Sequence, residues 1–195
     1  MCRFFGEDEV IKMNQELAER RDFTAEDLDN LPEDVRAEVI DGQIFYMASP
    51  ATKHQRISGK LYMELSNHIR DGQGICGVYF APLDVYLDND NRTCVQPDLI
   101  VICENDGRLL EDGCHGAPDL VIEITSKSTS SRDYGLKLKK YRNSGVREYW
   151  IVDPVKRTVL VSFFENEIEN NLYSFEENVT FCLFPDLTVR IADWV

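Results

Sequence analysis

Residues 118–124, PDLVIEI, constrain the chain more than any other stretch. Leu120, Val121, Ile122 and Ile124 form the continuous apolar run expected of a central strand. One carboxylate, Glu123, stands inside it. A charge within a sheet is costly unless something pairs with it. A near copy, PDLIVIC, occupies residues 97–103. Both phrases open on proline and aspartate, but only the second carries an acid inside the run. Side chains alternate between the faces of a strand. Gln96 and Asp98 therefore share one face, and Asp119, Val121, Glu123, Thr125 and Lys127 share a face of the other strand. If the strands are neighbours with matching faces, Asp98 and Glu123 converge. Converging carboxylates repel and need a proton or a metal between them. Oxygen ligands with room for water suit magnesium or manganese. The simpler alternative is that Asp98 starts a strand after Pro97 while Glu123 pairs with a lysine or arginine.

The surrounding pattern predicts one domain of mixed class. An amphipathic helix is expected over 7–21, and Thr24 with Asp27 marks the N-cap of a short helix. Residues 37–47, joined through Asp41-Gly42, read as a hairpin. A helix over 52–70 carries Ile57, Leu61, Leu65 and Ile69 at a spacing of four, with Gly72 beyond its end. Strands are expected over 78–88, 94–104 and the opening stretch. A helix over 131–143 follows, ending near Gly145. Further strands are expected over 148–154, 158–165, 173–177 and 179–184. Strands and helices in this order form a mixed sheet with helices packed against it.

Charge restricts the partners. The net charge of −14 argues against a broad nucleic-acid-binding surface. Yet seven of the 21 Lys and Arg residues lie between Lys127 and Arg147, opposed only by Asp133. That window is either a solvated helix face or a local phosphate-facing patch. On a helical projection Tyr134, Leu138 and Tyr141 form a narrow stripe. Lys137 borders it on the side of Asp133, and Lys139 points away. Lys137 either snorkels over the stripe or reaches the sheet, where it would hold water or offset phosphate charge. Glu38 reads as a hairpin charge and His54 as an inward-facing, hydrogen-bonded residue. Asp84 reads as structural. The six cysteines show no CxxC pair and read as reduced thiols rather than disulfides or a zinc site. No secretory signal or membrane-length apolar run is visible, so a cytoplasmic protein is expected.

The phrases DVRAEVIDGQIFYMASPATKHQRISGKLY, APLDVYL, VQPDLIVI, PDLVIEITSKST, RDYGLKLKKYRNSGVREYWIVDP and TVLV, in that order, resemble the Uma-two family. These are bacterial restriction-endonuclease-like proteins of the PD-(D/E)XK nuclease superfamily. The resemblance implies an α/β (α+β) fold with a restriction-endonuclease-like mixed β-sheet core of four or five strands flanked by helices. It also implies metal-dependent phosphodiester cleavage. Asp98 matches the first motif acid and Glu123 the second, with the Ile124 backbone carbonyl as a further metal ligand. The motif lysine is replaced by Thr125, and Lys137 on the next helix fits the relocated position, with Lys127 as its rival. Glu38 and His54 match positions near the same site.

The resulting expectation is a single nuclease-like domain, 1–195. It comprises an N-terminal helical extension (1–23), a family core (24–165) and a C-terminal β tail (166–195). The expected activity is a Mg- or Mn-dependent endonuclease, on DNA before RNA. Asp98, Glu123 and Lys137 would act in catalysis, and Arg132, Lys139 and Lys140 would contact nucleic acid. A homodimer is expected by analogy with the superfamily. The alternatives are a non-catalytic binding or regulatory module that keeps the fold, and a carboxylate-pair hydrolase acting on another substrate.

Overall fold

The computed structural model describes residues 22–32, 35–72, 74–87, 91–103, 107–126, 129–165 and 169–195. The expected helix over 7–21 and the rival Lys127 lie outside them.

Helix α1 (Ala25–Asp29) starts as the sequence predicts, with the Thr24 backbone N–H donating to Asp27 at 2.8 Å. Strands β1 (Ala37–Ile40) and β2 (Gln43–Tyr46) form the expected hairpin. Asp41 and Gly42 at its tip both have positive φ, 50° and 79°, as a turn matched to strand twist requires. Helix α2 (Thr52–Asp71) buries Ile57, Leu61, Leu65 and Ile69 and ends at Gly72.

Two expected strands are each divided. Residues 78–88 give β3 (Gly77–Phe80) and β4 (Val85–Tyr86), and residues 94–104 give β5 (Cys94–Val95) and β6 (Leu99–Ile102). A proline marks each break, Pro82 and Pro97. Proline has no N–H for a ladder, so the chain leaves one sheet and enters another there. The apolar pattern continues through each break, which is why it reads as one strand. Strands β7 (Leu109–Leu110) and β8 (Gly113–His115) form a small hairpin too short to show a period. Then come β9 (Leu120–Ile124), β10 (Glu148–Asp153), β11 (Thr158–Phe163) and β12 (Glu169–Ser174). Strands β13 (Val179–Thr180) and β14 (Thr188–Val189) and a 3₁₀ turn at Ile191–Trp194 complete the order.

The central sheet runs β12-β11-β10-β9-β6-β3. Its six strands are antiparallel except for the β9–β10 pair. A second sheet runs β2-β1-β5-β4-β8-β7. Alternation divides β9 between two cores. Leu120, Ile122 and Ile124 pack with α2, Trp150 and the C-terminal Phe175, Phe181 and Ile191. Val121 packs on the other face with Ile40, Val85, Tyr141 and Tyr149. Glu123 takes this second face, by the same period of two.

Helix α3 covers residues 130–144 as Ser130–Arg132, a wide π turn at Asp133–Lys137, and Leu138–Ser144. It is capped by Gly145 at φ 98°. Its fully buried residues are Asp133, Lys137 and Tyr141, while Tyr134 and Leu138 are half-buried. The buried line is thus shifted from the expected apolar stripe toward Lys137, consistent with the wide turn altering the helical phase.

The cysteine expectation is corrected in one place. Cys76 and Cys103 form a disulfide with an S–S distance of 2.07 Å. The β3–β6 register pairs Gly77 with Ile102, so the two cysteines face each other one step further out. That proximity depends on strand pairing, not on local spacing. Cys94, Cys114 and Cys182 are outside any disulfide.

Candidate active site

The last β6–β9 ladder pair toward Asp98 is Leu99 with Ile122. One further step sets Asp98 opposite Glu123, at the point where Pro97 turns the chain between sheets. Both acids line one cavity of about 450 Å³, with His54, Arg132, Asp133 and Lys137 also on its wall. The expected convergence is therefore present.

Each acid has one oxygen held by protein. Asp98 Oδ2 accepts from the Ile124 backbone N–H at 2.7 Å and lies 3.0 Å from His54 Nε2. Glu123 Oε1 accepts from Lys137 Nζ at 2.8 Å and from the Tyr141 hydroxyl at 2.7 Å. Among the described residues no hydrogen bond reaches the other oxygen of either acid. Lys137 Nζ also donates to Glu38 Oε1 at 2.7 Å, which accepts in addition from the Gln96 backbone N–H at 2.9 Å. Lys137 thus bridges two glutamates and is itself buried.

Glu38 stands beside Lys137, near the site as the family resemblance implies. It reads as an exposed hairpin charge but is 0% exposed. Strand β1 lies between β2 and β5 and is buried at all four positions, so no alternation turns Glu38 outward. Its Oε2 is buried without a hydrogen bond, and Arg132 Nη2 stands 3.7 Å away. Arg132 lies over the Phe45 ring at 4.9 Å and faces the cavity rather than open solvent. Of its expected nucleic-acid partners, Lys139 is exposed and Lys140 is ion-paired with Asp41. Tyr141, read from sequence only as part of an apolar stripe, brings its hydroxyl to Glu123. The spacing of Asp133, Lys137 and Tyr141 at every fourth residue is the signal that unites them on one face. Asp84 accepts from the Gln96 side chain at 2.8 Å, while Gln96 Oε1 accepts from Arg36. Asp119 caps the far end of β9 by accepting from the Cys103 backbone N–H at 2.7 Å.

The environments separate the two glutamates. Burial is the largest influence on Glu123 and pushes its carboxyl up to about 8. Lys137 opposes that rise, while Asp133, Asp98 and Glu38 add to it. Burial also raises Glu38, but Lys137, the Gln96 N–H and Arg132 outweigh it and hold its carboxyl below the usual range. Lys137 is lowered by burial but raised more by Glu123, Glu38 and Asp133, so it stays protonated. The lasting ion pair is therefore Lys137 with Glu38. Glu123 can take up or release a proton near neutrality.

Among the described residues, no three Asp, Glu, His or Cys side chains are placed to hold an ion by themselves. Closed zinc-type coordination is therefore not formed by these groups. The oxygens of Asp98 and Glu123 left without protein hydrogen bonds suit a different ligand. A hard cation that keeps several waters needs only one or two carboxylates.

A family model described as "Putative restriction endonuclease", Uma2, matches residues 25–192. An uncharacterized protein, slr1290 of Synechocystis sp. (strain ATCC 27184 / PCC 6803 / Kazusa), is 34% identical over 117 residues. That match spans 59% of each chain, so it reaches less than two thirds of the relative's length. A crystal structure from Anabaena variabilis ATCC 29413, described as "a putative nuclease belonging to DUF820", superposes with a TM-score of 0.70 at 23% identity. The superposition covers 88% of this chain and 97% of that one, which shows that the two chains share a fold. With its expected motifs in order and the family model matching through most of its length, the chain belongs to the Uma2 family.

Proposed function

We propose that this chain is a Mg- or Mn-dependent endonuclease that hydrolyses phosphodiester bonds in DNA. The observation that carries the reading is the meeting of Asp98, Glu123 and Lys137 on one cavity wall. Asp98, Glu123 and the Ile124 carbonyl would hold the cation. Bound there, a divalent ion supplies Lewis acidity toward a phosphoryl oxygen and favours ionisation of the attacking water. Lys137 orients that water or offsets charge growing on the phosphate. Glu38 keeps Lys137 charged and in place, and His54 orients Asp98. A homodimer in the bacterial cytoplasm belongs to the same reading.

The net charge of −14 and the two protein donors already on Glu123 Oε1 support a second reading, a non-catalytic binding or regulatory module. One experiment separates them. Purified protein is incubated with supercoiled plasmid and single-stranded DNA in EDTA, magnesium or manganese, beside Asp98→Ala, Glu123→Ala and Lys137→Ala. Cleavage that needs the metal and is lost in the variants supports the nuclease. Cleavage that survives all three substitutions contradicts the residue assignment. Absence of both cleavage and metal binding favours the second reading.

A further inference from the structure

We infer that the cavity takes an unpaired nucleotide, so that single-stranded nucleic acid is its preferred ligand over a duplex. The inference rests on the phosphodiesterase reading above and concerns the substrate class of the same site.

Two exposed apolar side chains stand on the cavity wall. Phe80, at the end of edge strand β3, is 58% exposed, and Val155, in the β10–β11 turn, is 63% exposed. Together they leave apolar surface open to water at the cavity's wall. The Phe80 ring is also held in position. Tyr62 of α2 packs against it edge-on, with ring centroids 5.1 Å apart and planes at 85°. An exposed aromatic ring held by a neighbour, on the wall of the proposed phosphodiesterase site, suits stacking by a base. It does not suit the sugar-phosphate exterior of a duplex, whose bases are stacked on each other.

Charge and size agree. The cavity wall carries Arg36, Lys53, Arg132 and Lys137 against Asp98, Glu123 and Asp133, whereas the whole chain carries −14. With Glu38 paired to Lys137 and close to Arg132, the recess is nearly charge-balanced, whereas the chain as a whole is strongly acidic. A duplex that gains affinity through many phosphate contacts needs a broad basic surface. About 450 Å³ lies within the usual range of a pocket for one small ligand. Arg132 lines the recess with its side chain 12% exposed, so part of the guanidinium is open to an occupant. A base on Phe80 with its phosphate toward Arg132 would use both the apolar and the cationic parts of the wall.

The test measures binding apart from cleavage. A fluorescein-labelled oligonucleotide is titrated with full-length protein by fluorescence anisotropy, single-stranded or annealed to its complement, in EDTA and in calcium. The single strand should bind at least about tenfold more tightly than the duplex. Phe80→Ala should weaken single-strand binding roughly 5- to 100-fold. Phe80→Trp should preserve it. Leu172→Ala, at an equally exposed position on the opposite edge strand, should leave it unchanged. Equal or tighter duplex binding, no single-strand binding, or an unchanged Phe80→Ala variant overturns the inference. The two readings fail separately. Metal-dependent duplex cleavage untouched by Phe80→Ala would keep the nuclease and remove the unpaired-nucleotide site. Single-strand binding through Phe80 without cleavage would do the reverse.

Discussion

Glu123 and Glu148 are both buried glutamates in adjacent parallel strands, yet their carboxylates are treated differently. Glu148 Oε1 accepts from the Trp150 indole at 2.6 Å and the Cys182 backbone N–H at 3.0 Å, and Oε2 accepts from the Leu183 N–H at 2.8 Å. Both oxygens are bound by neutral donors, and the C-terminal segment is fastened to the sheet. Glu123 has one oxygen held by a lysine and a tyrosine, and the other has no protein hydrogen bond among the described residues. Burial raises both carboxyls. The difference lies in satisfaction. A buried acid with every acceptor filled ties elements together, while one half-filled beside a cavity retains capacity for a ligand.

The contrast is broken most severely by exchanging effects between the two sites. Glu123→Gln should lower metal-dependent cleavage by at least about 10³-fold, on the order of 4 kcal/mol in the barrier. Glu148→Gln should retain most activity per folded molecule, as single-turnover assays on both variants would reveal. Next in size, Glu148→Ala should destabilise the fold by roughly 3–5 kcal/mol, because the buried Trp150 indole and two part-buried backbone N–H groups lose their acceptor. Urea unfolding measures this loss, and a change below about 1 kcal/mol would deny the tethering role. Lys137→Met should cost a comparable or slightly smaller amount, roughly 3 kcal/mol, by leaving the buried Glu38 with only the Gln96 N–H and the more distant Arg132 to offset its charge. Adding Glu38→Gln should recover part of that loss in the same assay.

A further effect is pH-dependent. Glu123 has a raised carboxyl, about 8 against an ordinary 4.5, so the folded chain holds its proton more tightly than the unfolded one. Its contribution to stability is full below about 4.5 and is lost as pH rises through about 8. Glu123→Gln should flatten that decline in unfolding curves taken across this window. Metal binding should release close to one proton at pH 6.5 and almost none at pH 9, read from calorimetry in buffers of different ionisation heat.

The pairing of Asp98 with Glu123 was legible because a period of two and adjacent strands suffice to bring them together. Lys137 was legible because helical spacing fixes its side of α3, although the wide turn that buries it left no clear local mark. Glu38 was undervalued because alternation fails in a strand enclosed on both sides. The divided strands at Pro82 and Pro97 were missed because their apolar pattern runs through the breaks. The Cys76–Cys103 bond and the satisfaction of Glu148 depend on register and on residues distant in sequence, which local spacing does not encode. Glu148 shows the limit best, since nothing in EYWIVDP reveals that residues 182 and 183 supply its donors.

Calorimetric titration of manganese into wild-type protein, Glu123→Gln and Glu148→Gln tests the central claim most directly. The account predicts one binding event in wild type, its loss in Glu123→Gln and its retention in Glu148→Gln. Absence of binding to wild type, or equal binding to Glu123→Gln, would contradict it.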